Sequence, residues 1–195
     1  MNVPNMLTTC RLLLSAVLFV LLGMAWAKDP PPTTLLDISL ALFMLTALTD
    51  MLDGVIARKY GLVTTFGRIA DPFADKVLTA GCFVFLLGFP QSFVKPWMVV
   101  VILSREFLVS GLRGFIEGQG RQFPAMIWGK LKVTSQYSLI GWTIFHLAHL
   151  TDVSASRCFT QFAAIGVTIY TMLSAIAYLV AAVKMLRADK CDGEA

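Results

Sequence analysis

Four aspartates occur close together in a part of the sequence that is otherwise apolar. Asp50, Asp53, Asp71 and Asp75 lie within or against stretches long enough to span a bilayer. An ionised carboxylate at membrane depth costs several kcal/mol even on lenient scales, so such a cluster needs a counter-charge in the cavity it shares. A divalent cation is the natural candidate, because hard cations prefer carboxylate oxygen. We therefore predict a metal site formed by these four side chains.

The spacing of the aspartates predicts how they meet. Asp50 and Asp53 are three residues apart, and Asp71 and Asp75 are four apart. On a helix, residues at either spacing share a face. Two helices that face each other would then direct all four carboxylates to one point.

Small residues and an arginine follow the first pair of aspartates. Gly54 and Ala57 lie on or beside the face of Asp50 and Asp53, and they leave room for a flat group against the backbone. Arg58 follows one turn later, and its planar guanidinium suits phosphate oxygens. Together these residue types predict a metal-bridged diphosphate site.

This pattern resembles the signature of the CDP-alcohol phosphotransferase family. The resemblance is carried by eight positions at the family's spacing: Asp50, Asp53, Gly54, Ala57, Arg58, Gly67, Asp71 and Asp75. Eight fixed positions are too many for coincidence to be a serious rival. Pro72, directly after Asp71, is less characteristic and must sit early in the third helix or bend it.

The resemblance implies a set of site residues and ligands. One or two Mg²⁺ or Mn²⁺ ions would be held by the four aspartates, and Asp75 would also act as the catalytic base. CDP-diacylglycerol would be the donor, with a homodimer as the assembled form. The implied donor site consists of Asp50, Asp53, Gly54, Ala57, Arg58, Gly67, Asn5 and Thr8.

A second charged region follows further along the chain. Arg105 and Glu106 interrupt an apolar run, Arg113 follows eight residues after Arg105, and Lys130 and Lys132 open the next predicted helix. The eight-residue step keeps both arginines roughly on one face, so one anionic group could be held among these cations. The alternative is a buried Arg105–Glu106 ion pair with snorkelling cations.

The second region and the N-terminus narrow the resemblance within the family. The order Arg-Glu, a later Arg and then Gly-Lys-x-Lys-x-x-x-Gln over 129–136 is similar to the bacterial branch that makes phosphatidylglycerophosphate. The opening VPNMLTTCR is similar to the same branch. The implied reaction transfers the phosphatidyl group of CDP-diacylglycerol to glycerol 3-phosphate and releases CMP. Its acceptor would be bound by Arg105, Arg113, Lys130 and Lys132.

The composition is that of an integral membrane protein. The 195 residues are 57% hydrophobic and 14% charged, and the mean hydropathy is +0.74. We predict an all-α fold with six transmembrane helices around a polar cavity open to the cytoplasm, and a single domain over 1–195. The helices are expected near residues 7–27, 35–57, 72–89, 96–116, 133–150 and 160–186. The first is read as a retained helix rather than a signal peptide, since its apolar run is long and Pro30 to Pro32 follow it.

The distribution of Lys and Arg predicts the orientation. With a cytoplasmic N-terminus, thirteen of the sixteen cations fall on the cytoplasmic side, and Lys28, Lys95 and Arg157 fall on the other. This positive-inside bias places both termini and the aspartates at the cytoplasmic face of the inner membrane. Basic residues there also suit anionic lipid headgroups and phosphorylated substrates.

Two other functions remain open on the sequence. A relative with another acceptor, such as serine, inositol phosphate or a phospholipid, would share the aspartates, although the second cationic region favours a phosphorylated acceptor. A cation or proton transporter would explain intramembrane carboxylates, but it leaves Gly54, Ala57, Arg58 and Gly67 without a role. We predict no nucleic-acid partner.

His146 and His149 lie three apart near the predicted outer end of the fifth helix. A metal site is one reading of that spacing, but it needs further ligands. We therefore interpret both as interfacial histidines.

Overall fold

The computed structural model of the chain is helical throughout the part that it describes. It describes residues 3–60, 65–118 and 127–192, and it describes side chains over 9–49, 73–74, 76–118 and 131–185. These residues form six α-helices and one short 3₁₀ turn at Pro90–Ser92. The helices are α1 (Val3–Trp26), α2 (Thr33–Tyr60), α3 (Thr65–Leu86), α4 (Pro96–Gly118), α5 (Ile127–His149) and α6 (Ser154–Asp192).

Prolines mark several helix boundaries. After α1 ends at Trp26, Pro30, Pro31 and Pro32 separate it from α2 because proline lacks the N–H that a helix interior uses. Pro96 is the first residue of α4, where the missing N–H has no helical partner to lose.

Phe93, in the connection between α3 and α4, has a left-handed backbone conformation with φ 57°.

The six predicted helices are present. The predicted bounds of α6 are six residues short at each end, and the largest single shift is at the start of α3. The apolar pattern placed its start near residue 72, whereas α3 begins at Thr65. The prediction was wrong because it followed apolar residues, and the first turns of α3 carry Gly67, Arg68 and Asp71. Backbone hydrogen bonds define a helix, and they do not require apolar side chains. A helix can therefore extend past its apolar segment into a polar one. Pro72 accordingly lies inside α3.

The helices pack in a ring whose order differs from the chain order. α1 packs against α2 and α3, α2 packs against α5, α5 packs against α6, and α6 packs against α4. A smaller contact between α3 and α4 closes the ring, and α3 also touches α5. The main core fills the space between these helices with fully buried side chains that include Leu22, Phe43, Leu78, Ile102 and Ile144.

The ring has two ends, and the charged residues of interest share one of them. The starts of α1, α3 and α5 and the ends of α2, α4 and α6 lie together; we call this the site end. A second, smaller core of Val109, Ile116, Tyr178 and Ala182 packs α4 against α6 towards the site end. At the opposite end, His149 of α5 meets Asp37 of α2 at 2.7 Å.

The outer surface of the ring is suited to lipid. Within the described residues, the helical stretches Thr9–Trp26 and Ser154–Met185 are long and apolar enough to cross a membrane, and shorter apolar stretches cover Thr33–Thr49 and Lys76–Leu86. Large apolar side chains such as Val20, Phe107, Phe162 and Met172 point away from the core. A contiguous apolar surface of this kind is stable in a bilayer rather than in water.

The two histidines of α5 occupy different environments. His149 is exposed, as the interfacial interpretation expects. His146 is fully buried, and its Nδ1 lies 2.7 Å from the Ser156 hydroxyl. The interpretation of His146 as interfacial was therefore wrong, because the start of α6 folds back over the end of α5 and covers the ring.

Gly81 permits the close approach of α1 and α3. Phe19 and Phe85 stack across this contact with ring centroids 5.5 Å apart, and a Cβ at Gly81 would overlap the ring of Phe19. We expect Gly81→Ala to destabilise the protein by about 1–3 kcal/mol, as overpacking does. The measurement is the midpoint of thermal unfolding in detergent.

Gly166→Ala is the matched control, since nothing lies within 4 Å of a Cβ built there. The control should unfold at or above the temperature of the unmodified protein, because alanine favours a helix. Equal midpoints for the two variants would show that the Phe19 ring moves aside without cost.

Candidate active site

The aspartate signature spans the junction of α2 and α3. Asp50 and Asp53 belong to the last turns of α2, and Asp71 and Asp75 belong to the first turns of α3. Residues 61–64 connect these helices, so the two segments cannot separate by more than about 17 Å at full extension. Both pairs therefore belong to the site end. Their side chains, with those of Gly54, Ala57, Arg58 and Gly67, lie outside the described part.

The chemistry of these residues fits a divalent cation. Four carboxylates from two adjacent helix ends offer hard oxygen ligands, and each helix presents its pair on one face. Among the side chains that the structure describes, no three His, Cys, Asp or Glu residues lie together in a way that could hold a metal. The four aspartates lie outside the side chains searched, and their role as metal ligands stays a prediction.

Glu106 joins two buried cations from different helices. On α4, Arg105 Nη1 lies 3.6 Å from Glu106 Oε1, and Lys132 Nζ of α5 bonds to the same oxygen. The side chains of Arg105 and Lys132 are only 6% and 5% exposed. The buried ion pair that the sequence left as an alternative is therefore present, and it includes Lys132 as a third member. This group carries two positive charges and one negative charge.

Helix α6 supports the arginine from its other side. Arg105 Nε donates to Ser174 Oγ at 3.2 Å, and Ser174 Oγ donates its own hydrogen to the carbonyl of Thr171 at 2.8 Å. The Arg105 guanidinium also lies over the Tyr178 ring at 5.4 Å from the centroid, a cation–π contact. Its Nη2 is buried and has no hydrogen-bond partner among the described residues.

A cavity lies beside this charged group. It has a volume of about 120 Å³ and is formed by α3, α4 and α5. Its lining is mainly apolar, and its polar residues are Lys76, Thr79, Glu106, Lys132 and Gln136. Gln136 is itself buried, and its Nε2 donates to Thr171 Oγ1 at 3.4 Å. A small ligand could therefore approach the Glu106 group from this side.

The other predicted ligand-binding residues either lie away from the Glu106 group or have side chains outside the described part. Arg113 belongs to α4 but is exposed, whereas Arg105 is buried against α6. The eight-residue step rotates the helix by about 80°, which separates two side chains expected on one face. Lys130 lies in the first turn of α5, and Asn5 and Thr8 lie in the first turns of α1. The side chains of these last three are outside the described part.

Sequence reasoning missed the contribution of α6. The residues involved recur on one face of this helix, at Thr168, Thr171, Ser174 and Tyr178, and all four are buried. Their spacing of three, three and four residues is a helical stripe that the sequence displays. The stripe did not stand out, because serine and threonine are common where transmembrane helices pack closely.

The family comparison agrees with the signature. A model of the CDP-alcohol phosphatidyltransferase family matches residues 1–186, nearly the whole chain. The chain belongs to this family of integral membrane enzymes. It is thus an integral membrane transferase, and the transporter alternative is no longer needed.

Curated relatives narrow the comparison further. Proteins named CDP-diacylglycerol–glycerol-3-phosphate 3-phosphatidyltransferase match this chain from several bacteria. The protein of Bacillus subtilis (strain 168) is 34% identical over 152 residues, which cover 74% of this chain and 77% of that protein. The protein of Rickettsia bellii (strain RML369-C) is 44% identical over 69% of this chain and 70% of its own length. The protein of Salmonella choleraesuis (strain SC-B67) is 31% identical over 88% of this chain and 91% of its own.

Proposed function

We propose that this protein transfers the phosphatidyl group of CDP-diacylglycerol to sn-glycerol 3-phosphate, giving phosphatidylglycerophosphate and CMP. The observation that carries the proposal is the placement of two charged segments towards the same end of the ring. The aspartate segments of α2 and α3 lie at the site end, and the buried group of Arg105, Glu106 and Lys132 joins the middle of α4 to the first turns of α5, which begins at that end. The names of the matched relatives support the same reaction.

Asp50, Asp53, Asp71 and Asp75 would hold one or two divalent cations, Mg²⁺ or Mn²⁺. When bound, such an ion neutralises the charge that develops on a diphosphate as its anhydride bond breaks. Arg58 lies one turn after Gly54 in the sequence of α2 and would pair with phosphate oxygens of the donor. Ala57, Gly67, Asn5 and Thr8 complete the proposed donor site.

Asp75 is the proposed general base. It accepts the proton of the acceptor's free primary hydroxyl as that oxygen attacks the phosphorus attached to diacylglycerol. A new P–O bond forms, the phosphoanhydride bond breaks, and CMP leaves with the electron pair of that bond. Because Asp75 lies on α3, which also lines the cavity beside Glu106, an acceptor in this region would be near the base.

The acceptor's phosphate would be bound by cations of α4 and α5, namely Arg105, Arg113, Lys130 and Lys132. Arg105 Nη2 is buried and has no hydrogen-bond partner among the described residues. A phosphate oxygen of the acceptor would accept from it, since guanidinium groups bind phosphate oxygens strongly. An acceptor without a phosphate lacks such an oxygen.

The membrane arrangement follows from the same proposal. Residues 1–195 would form one membrane domain with the site end and both termini at the cytoplasmic face of the inner membrane, as the lysine and arginine bias predicts. Acyl chains of the donor would remain in the bilayer while glycerol 3-phosphate enters from water. The homodimer rests on the family resemblance alone.

The choice of acceptor gives a direct test. We expect purified protein to release CMP from CDP-diacylglycerol with glycerol 3-phosphate and to release far less with glycerol, serine or inositol, because those acceptors lack a phosphate for the cations. Radiolabelled CMP release across an acceptor panel measures this. Preference for inositol phosphate in competition would assign another acceptor while leaving the phosphotransferase reaction in place.

Single alanine variants should separate the two substrates. We expect Arg113→Ala and Lys130→Ala to raise the apparent KM for glycerol 3-phosphate far more than that for CDP-diacylglycerol. The Arg113 side chain is exposed, so its removal should leave the unfolding temperature unchanged. A parallel rise of both KM values would place these cations outside a dedicated acceptor pocket.

A further inference from the structure

Gln136 is a buried polar residue that the proposed reaction does not use. Its side chain is only 1% exposed, and it lies on α5 one turn after Lys132. It also lines the cavity between α3, α4 and α5. Burying an amide is costly unless its polar atoms find hydrogen-bond partners. The side chain therefore needs an explanation in terms of what its amide binds.

Helix α6 accounts for one hydrogen-bonding group of this amide. Gln136 Nε2 donates to Thr171 Oγ1 at 3.4 Å, and this bond joins α5 to α6. A glutamine amide has two N–H donors and a carbonyl oxygen with two lone pairs. Among the described residues, the bond to Thr171 uses one N–H. The other N–H and the carbonyl oxygen are suited to a small polar ligand in the cavity.

The same turn of α6 also contacts a proposed ligand of the acceptor. Ser174, three residues after Thr171, accepts from Arg105 Nε at 3.2 Å, and its hydroxyl donates to the Thr171 carbonyl. Gln136 and Arg105 are thus bonded to positions of α6 that lie within about 5.4 Å, one helical turn. A polar group next to a phosphate bound by Arg105 would therefore lie near Gln136.

The opposite wall of the cavity belongs to the helix of the proposed base. Thr79 of α3 lines the cavity, and Asp75 precedes it by one turn on the same helix. The cavity thus lies between the helix that carries the proposed base and the two helices that carry the proposed cations. Gln136 belongs to the part of the lining between these two sets of residues.

Glycerol 3-phosphate carries three polar groups on three consecutive carbons. They are the phosphate, a secondary hydroxyl on the middle carbon and the primary hydroxyl that attacks the donor. The proposed reaction assigns cations to the phosphate and Asp75 to the primary hydroxyl. Two contacts cannot distinguish a molecule from its mirror image, so selection of one enantiomer needs a third contact at the middle carbon.

We propose that Gln136 binds the secondary hydroxyl of the acceptor and thereby selects sn-glycerol 3-phosphate over its mirror image and over phosphates that lack this hydroxyl. The inference rests on the proposed transfer reaction for the identity of the acceptor. The amide accepts the hydroxyl hydrogen at its carbonyl oxygen or donates an N–H to the hydroxyl oxygen. An analogue without the hydroxyl leaves a buried amide group unpaired, and this disfavours its binding.

Gln136→Leu tests the proposal with two acceptors. Glycerol 3-phosphate and 3-hydroxypropyl phosphate differ only in the secondary hydroxyl, and CMP release gives kcat/KM for each. We expect the unmodified protein to prefer glycerol 3-phosphate by about tenfold or more, the contribution of one hydrogen bond. Gln136→Leu should bring the ratio close to one, chiefly by lowering kcat/KM for glycerol 3-phosphate. It should also reduce the preference for sn-glycerol 3-phosphate over sn-glycerol 1-phosphate.

The ratio separates this role from a purely structural one. If Gln136 serves only to join α5 to α6, Gln136→Leu lowers the midpoint of thermal unfolding but leaves the ratio unchanged. Thr143→Val is the matched control, because Thr143 is a buried hydroxyl of the same helix that donates to the Leu139 carbonyl. We expect this control to keep both preferences of the unmodified protein.

The results that overturn the proposal are distinct from those that overturn the proposed function. The proposal is wrong if the unmodified protein uses glycerol 3-phosphate and 3-hydroxypropyl phosphate equally well, or if Gln136→Leu keeps the original ratio. If Gln136→Leu does not fold, Gln136→Met gives the same test, since its unbranched side chain has a similar length and no amide. Failure of the unmodified protein to use glycerol 3-phosphate at all would instead overturn the proposed function.

Discussion

Replacing Asp75 with asparagine should lower the turnover number for CMP release by about 10²–10⁴-fold, the usual contribution of a general base. The amide has the size of the carboxylate but cannot accept the proton of the acceptor hydroxyl. Binding of CDP-diacylglycerol should persist if Asp75 is chiefly the base, because Asp50, Asp53 and Asp71 would still hold the metal and the donor. Single-turnover CMP release and direct binding of labelled donor measure the two effects separately.

Asp37→Asn is the control for this variant. Asp37 is an exposed carboxylate at the opposite end, where it bonds to His149 at 2.7 Å. The same chemical change there should leave turnover intact. Near-normal turnover in Asp75→Asn would end the assignment of Asp75 as base.

Removal of divalent cations should abolish activity altogether. Excess EDTA should stop CMP release, and added Mg²⁺ or Mn²⁺ should restore it, because the signature gathers four carboxylates at one end of the ring. Asp50→Asn, Asp53→Asn and Asp71→Asn should each weaken metal and donor binding together. Since the three act on one ion site, double variants should lose less than the sum of the single losses.

Three results would contradict parts of this prediction about divalent cations. Full turnover in excess EDTA would remove the metal from the reaction. Additive losses in the double variants would indicate that the aspartates bind separate ligands. A loss of donor binding without any change in the metal requirement would place the affected aspartate against the donor alone.

The helices were the most predictable part of the fold. Each apolar stretch is long enough for a transmembrane segment, and the corresponding helix is present in every case. The start of α3 was misplaced because its first turns are polar. Hydropathy reports the depth at which side chains meet lipid, and it does not report where backbone hydrogen bonding begins.

The order of helices around the ring could not be predicted. Nothing in the composition of α4 indicates that it packs mainly against α6 and only weakly against its chain neighbour α3. The choice depends on which side chains fit together, as where Val109 and Ile116 meet Tyr178 and Ala182. The support of Arg105 by Ser174 was hidden for the same reason, since these residues are 69 positions apart.

The site was predictable to different degrees in its two halves. The aspartate half was recognised from residue types at fixed spacing, a signal contained in one continuous segment. The cation half was recognised as a set of charges, but the sequence left open whether Arg105 faces a ligand or pairs with Glu106. The structure has Arg105 paired with Glu106, and Nη2 of Arg105 has no hydrogen-bond partner among the described residues.

The ring order also constrains how the protein is assembled as it is synthesised. α1 has its neighbours α2 and α3 early in synthesis, whereas the main neighbour of α4 is α6, the last helix of the chain. Until α6 inserts, Arg105 lacks both Ser174 and the Tyr178 ring. The contacts that hold Arg105 are therefore completed only when α6 is present, and a nascent chain released before that point would carry the proposed metal ligands without the complete proposed acceptor site.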